Sequence, residues 1–103
     1  MIYTILEGHV TSEKWEQLEE AYKRGIKTVP HQLVQSFLLQ SKTDPDTWMV
    51  ISLWRDEEEY NEAHKAGHTS VCVEMFHSVG VEPKPRRVLE VVAHHMHVWG
   101  SSD

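Results

Sequence analysis

The chain opens on a mixed apolar run. From Ile2 to Val10, β-branched, aromatic and aliphatic residues are interleaved with Thr4 and Glu7 and stop at Thr11-Ser12, which predicts a strand. Thr11 or Ser12 can then accept from the first free N–H groups of a helix, with Glu13 and Glu16 beside the positive end of its dipole. Trp15, Leu18, Tyr22, Ile26 and Val29 recur every three or four positions, while Glu19, Glu20, Lys23 and Lys27 fall outside that stripe. An amphipathic helix is predicted, ending near Thr28 because Pro30 lacks an N–H and biases Val29 toward an extended backbone.

Two further apolar runs, Gln32 to Gln40 and Thr47 to Trp54, flank the turn residues Asp44-Pro45-Asp46. Their connection is too short for a parallel crossover, so they should form an antiparallel hairpin. Asp56 stands three residues before Glu59 in a capping-box arrangement, which starts a second helix over about Glu57 to Ala66, broken at Gly67. Thr69 or Ser70 can cap a third, where Cys72, Met75, Phe76 and Val79 share a face before Gly80. Arg86 to His97, with Val88, Leu89, Val91, Val92 and Ala93, reads as a last long strand.

The order strand, helix, strand, strand, helix pair, strand is that of an α+β, ferredoxin-like split β-α-β sandwich: a four-stranded antiparallel sheet with helices on one face. The third strand is apolar on both sides, with Trp48, Val50 and Trp54 on one and Met49, Ile51 and Leu53 on the other. A sheet with a solvated far side would alternate more cleanly. The second face is therefore expected to pack against the same face of another copy, making a homodimer.

Length and charge narrow the possibilities. At 103 residues the chain holds one domain, taken as residues 1–97 with a polar tail over 98–103. A net charge of -6 repels a phosphate backbone, so nucleic-acid binding is not expected. No apolar run reaches the roughly 20 residues of a membrane-spanning helix, and no membrane partner is expected. Cys72 is the single cysteine and cannot form an intrachain disulfide; Glu7 comes too early for a signal-peptide core. A cytoplasmic location is the expectation. Eight histidines and four tryptophans are the compositional excesses that a function has to use.

The segment Trp54-Arg55-Asp56-Glu57-Glu58-Glu59-Tyr60-Asn61-Glu62-Ala63-His64 joins a strand-ending Trp, an acidic helix start and an Ala-His on that helix. In this it resembles the antibiotic biosynthesis monooxygenase family, and the order and lengths of the elements extend the likeness over about Met1 to His94. The resemblance implies a ferredoxin-like chain that dimerises into an α+β barrel. It also implies a pocket between sheet and helices, and cofactor-independent oxygenation of aromatic polyketides as one of several activities. The family's haem-degrading branch uses an Asn on the first strand, a Trp on the second helix and a His on the third. Here Glu7, Ala63 and a residue near Val73 fill those places. Haem degradation is not expected, and no cofactor is implied.

Within that frame His64 is the choice for a catalytic base, since an imidazole both takes and gives a proton near neutrality. Tyr60 lies one helical turn earlier and could donate to a phenolate or enolate oxygen. Trp54 either lines the pocket by stacking or is a core residue with its N–H on a backbone carbonyl. His68, Phe37 and Phe76 complete the expected pocket, with Glu7 a second carboxylate if it points inward and a solvated one if it does not. His64 and His68 share a face only if the helix runs through Gly67. A metal would need a third ligand from His94, His95 or His97, and none is assigned. Cys72 reads as a small core residue. Two functions fit: a cofactor-independent monooxygenase acting on a small aromatic or enolisable molecule, or a non-catalytic dimeric module that binds a small hydrophobic ligand or a partner protein.

Overall fold

A computed structural model describes residues 1–95. Strand β1 (Ile2–His9) alternates as its pleat requires: Ile2, Thr4, Leu6 and Gly8 are buried toward the helices, and Tyr3, Ile5, Glu7 and His9 face the other way. A 3-10 turn (Ser12–Lys14) leads into α1 (Trp15–Gly25), and a second (Ile26–Thr28) carries the helical path to Thr28 before Val29 turns extended ahead of Pro30. Thr11 holds the N-cap position but does not cap. Its hydroxyl donates instead to Glu13 Oε1 at 2.5 Å, the carboxylate being the stronger partner. The Trp15 indole N–H donates to Val10 O at 2.7 Å and ties the helix start to the end of β1.

Strands β2 (Leu33–Gln40) and β3 (Thr47–Trp54) form the predicted antiparallel hairpin, with a bulge between Leu33 and Gln35. Helix α2 (Glu57–Lys65) opens on Asp56, whose Oδ1 accepts from the Glu59 N–H at 2.8 Å, and stops before Gly67 at a φ of 79°. Helix α3 (Val71–Ser78) follows, with Met75 and Phe76 buried. The last strand is shorter than predicted. β4 (Arg87–Glu90) pairs with β1 only from Ile5 to Ile2, and one further backbone bond, from the Val91 N–H to Met1 O at 2.9 Å, follows it. Residues 91–95 lie outside it, and His97 and Trp99 lie outside the described residues.

The sheet order is β2-β3-β1-β4, all antiparallel, with the helices against one face: the α+β, ferredoxin-like arrangement. The main core gathers Leu6, Val10, Leu18, Val50, Met75 and Phe76. Phe76 packs against β1 at Gly8, where a Cβ would sit 2.6 Å from its Cε1. A second cluster holds Ile2, Trp54, Tyr60 and Ala63 under α2. The opposite face of the sheet carries Phe37, Leu39 and Leu89, exposed by 46, 38 and 45%, beside half-buried Ile5, Met49 and Ile51. Among the described residues no helix is long and apolar enough to cross a membrane.

Candidate functional site

The helix side of the sheet has a shallow place. Thr4 and Ser52 are direct cross-strand partners, and Ser36 of β2 lies opposite Ser52 on the other side, so one row across three strands carries short hydroxyl side chains. On either side stand larger residues, Leu6 and Val50 toward one end and Trp54 toward the other. Val29, Pro30 and Leu33, in the segment leading into β2, form one wall, and Val71 and Cys72 at the start of α3 form the other. The result is a partly open, mainly apolar cleft. His68, Thr69 and Arg86 stand among its lining.

Trp54 is fixed from two directions. Its indole N–H donates to Thr4 Oγ1 at 3.1 Å, and Tyr60 packs edge-on against it at a ring separation of 5.2 Å. It is therefore both a core residue, 4% exposed, and part of the cleft. Its N–H partner is a side-chain hydroxyl rather than a backbone carbonyl. Tyr60 backs Trp54 and is not part of the lining. His64 stacks on Tyr60, with ring centroids 5.8 Å apart. Its imidazole is outside the cleft on an exposed residue, and its Nδ1 is 2.7 Å from the hydroxyl of buried Thr69, which does line the cleft.

Thr69 is also the anchor for Arg86. One guanidinium nitrogen donates to the Thr69 carbonyl at 2.7 Å and the other reaches its Oγ1 at 3.5 Å. Burial pushes the Cys72 thiol above its usual pKa of 9.0, and the positive charge of Arg86 offsets this in part.

The other expected residues lie elsewhere. Phe76 is fully buried in the main core. Glu7 and Phe37 are on the opposite face of the sheet, where Glu7 Oε2 accepts from Lys84 Nζ at 2.7 Å and its Oε1 is 3.9 Å from an Arg87 nitrogen. His64 and His68 do not share a helix face, since α2 stops at Lys65. The cleft thus brings together Trp54 and His68, with His64 one hydrogen bond away. Sequence reasoning missed Thr4, Ser52, Thr69 and Arg86. Thr4 and Ser52 had a signal, being hydroxyl residues on the buried parity of their strands; Arg86, in a loop, had none. Among the described residues no three His, Cys, Asp or Glu side chains gather as a metal site would require.

A family model for "antibiotic biosynthesis monooxygenase" matches residues 1–75. No curated protein matches the chain significantly. Among solved structures, a conserved protein of unknown function from Bacteroides thetaiotaomicron superposes with a TM-score of 0.69 at 20% identity, over 87% of this chain and 96% of its own. SnoaB, a cofactor-independent oxygenase from Streptomyces nogalater, gives 0.67 at 13% identity, over 90% and 94%. A conserved protein from Methanosarcina mazei gives 0.65 at 16%, over 85% and 89%. At these identities the likeness is one of fold.

Proposed function

Because the chain belongs to the antibiotic biosynthesis monooxygenase family, we propose that it is a cofactor-independent oxygenase of a small aromatic or enolisable molecule, bound in the cleft floored by Thr4, Ser52 and Trp54. The observation that carries this reading is the 2.7 Å contact between His64 Nδ1 and the hydroxyl of Thr69. It links a lining group to an imidazole that meets solvent, giving a proton a way out of an apolar space.

In this mechanism His64 is the base, acting through Thr69. The neutral imidazole carries its hydrogen on Nε2 and accepts at Nδ1. As a substrate C–H or O–H proton passes to Thr69 Oγ1, the hydroxyl hydrogen passes to His64 Nδ1, and the imidazolium releases a proton to water. Trp54 lies against the flat ring of the substrate. The resulting carbanion or enolate is electron-rich enough to reduce O₂ directly. For a ring methylene the balance is CH₂ + O₂ → C=O + H₂O, the carbon losing four electrons and the second oxygen atom leaving as water.

The test is oxygen consumption by the purified protein with anthrone and quinol compounds. His64→Ala should lower turnover by about two to four orders of magnitude. Thr69→Val should fall with it, and Thr69→Ser should keep most activity. Wild-type turnover in His64→Ala removes His64 from the mechanism. The exposed setting of His64 favours a second reading, a module that binds its ligand without converting it; binding with no oxygen uptake for any substrate would establish that one.

The partner we assign is a second copy of the chain. Phe37, Leu39 and Leu89 stand exposed beside Ile5, Met49 and Ile51 on a face that, among the described residues, no helix covers. Contiguous exposed apolar surface of this kind is where association is favourable. An isologous two-fold pairing of that face would close the family's α+β barrel.

A further inference from the structure

The polar groups of the cleft are lopsided in charge. Among the described residues its lining contains Arg86 and His68 but no Asp or Glu, in a chain with sixteen carboxylate side chains against ten Lys and Arg. Arg86 is half-buried, and its hydrogen bonds go to the carbonyl and hydroxyl of Thr69, both neutral. The other basic residues near it in sequence are engaged differently: Lys84 and Arg87 both pair with Glu7 on the far side of the sheet. Among the described residues Arg86 has no such carboxylate. A guanidinium withdrawn from water without a counter-ion is unfavourable, and a planar bidentate anion is the partner its geometry suits. Helix α3 begins at the same place, with Val71 and Cys72 in the lining and no side-chain cap on its first N–H groups, so its dipole adds positive potential there.

We propose that Arg86 is a substrate-binding residue that selects a carboxylate: the ligand of the cleft is a flat aromatic acid, its ring against Trp54 and its carboxylate on the Arg86 guanidinium. This rests on the reading of the cleft as the small-molecule site. Thr69 then has two duties, since the residue that holds Arg86 in place also contacts His64. The acid group fixes which edge of the ring faces the Thr69 hydroxyl, and so which substrate proton is removed.

Anthraquinone-2-carboxylate and 2-(hydroxymethyl)anthraquinone share one ring system and differ in charge, and neither has to react. Titrated by calorimetry into the intact protein at low salt, the acid should bind about tenfold or more tightly than the alcohol, as expected for a charge-assisted bidentate contact. Arg86→Gln should bring the two affinities together while the alcohol's changes by less than about threefold. Arg86→Lys, which keeps the charge but not the fork, should retain part of the preference; it also serves if Arg86→Gln does not fold. Raising sodium chloride from 50 to 500 mM should narrow the wild-type preference. Equal binding of the two probes to wild type, or an undiminished preference in Arg86→Gln, overturns the Arg86 assignment and leaves the cleft intact. Binding of neither probe, or binding of both unaltered by Ser52→Leu, which fills the cleft floor, removes the cleft as the site and this inference with it.

Discussion

Replacing Gly8 by Ala tests how tightly the sheet and α3 are fitted. The new Cβ would lie 2.6 Å from Phe76 Cε1, 2.7 Å from Cδ1 and 3.2 Å from Val81 Cγ1. Carbon atoms rest at about 3.5–4.0 Å, so the ring must retreat by roughly 1 Å. It has no room to do so: Phe76 and Leu18 are fully buried, and Met75 and Val79 are each 5% exposed. Overpacking of a filled core costs about 1–3 kcal/mol. Against this, Ala loses less backbone entropy than Gly on folding, a gain of about 0.5–1 kcal/mol. The net expectation is a loss of about 1–2 kcal/mol, or a fall in Tm of about 5–15 °C for a domain of this size. Urea unfolding followed by tryptophan fluorescence, at one fixed protein concentration so that association does not confuse the comparison, measures it. Phe76→Leu supplies the control. Trimming the ring should cost less in the Gly8→Ala background than in wild type, with a coupling of at least about 0.5 kcal/mol. A Gly8→Ala protein as stable as wild type, or strictly additive losses, would refute the argument.

Trp54→Ala should weaken binding of flat ligands and cost about 3–5 kcal/mol of stability; Trp54→Phe should recover much of the stability but not the bond to Thr4, and denaturant titration of both checks this. Light scattering at micromolar concentration should give twice the monomer mass, and Phe37→Glu with Leu39→Glu should halve it; a wild-type monomer sinks the dimer proposal. The raised pKa of Cys72 means that the folded chain keeps a proton that the unfolded chain releases. Its stabilising contribution is therefore fully present below pH 9.0 and lost as pH rises through the higher folded value. Denaturation between pH 8 and 10.5 should show wild type falling more steeply than Cys72→Ala, and parallel curves would contradict the burial argument.

How far the sequence could be read depended on the range of the forces involved. The Asp56 cap, the stripe from Trp15 through Tyr22 and the Asp44-Pro45-Asp46 turn are local, and periodicity exposed them. The extent of β4 is not local: the strand pairs only with residues Ile2 to Ile5 of β1, at the other end of the chain. The site suffered most from this. Tyr60 and His64 do lie one turn apart and stack, but the residue behind Trp54 need not meet the cavity that Trp54 meets. Glu7, whose role depends on which way it points, and Phe37, expected in the pocket, both fall by strand parity on the face away from the helices. Arg86 reaches the cleft only because its loop crosses to Thr69, a contact between residues 17 apart that no spacing rule encodes.

The pairing of Thr4 with Ser52 has a consequence for how such a protein can change its ligand. The depth of the cleft is set by two short side chains on rigid strands, while its walls come from a loop and a helix start. Depth can therefore be altered one methyl or methylene at a time without moving the backbone. Each such step is worth about 1–3 kcal/mol of discrimination between ligands that differ by one carbon. Position 52 is the freer of the two, since Thr4 is also the acceptor for the Trp54 indole. Ser, Ala, Thr or Val at that position would grade the same scaffold through a series of ring sizes, a short evolutionary route from one substrate to the next.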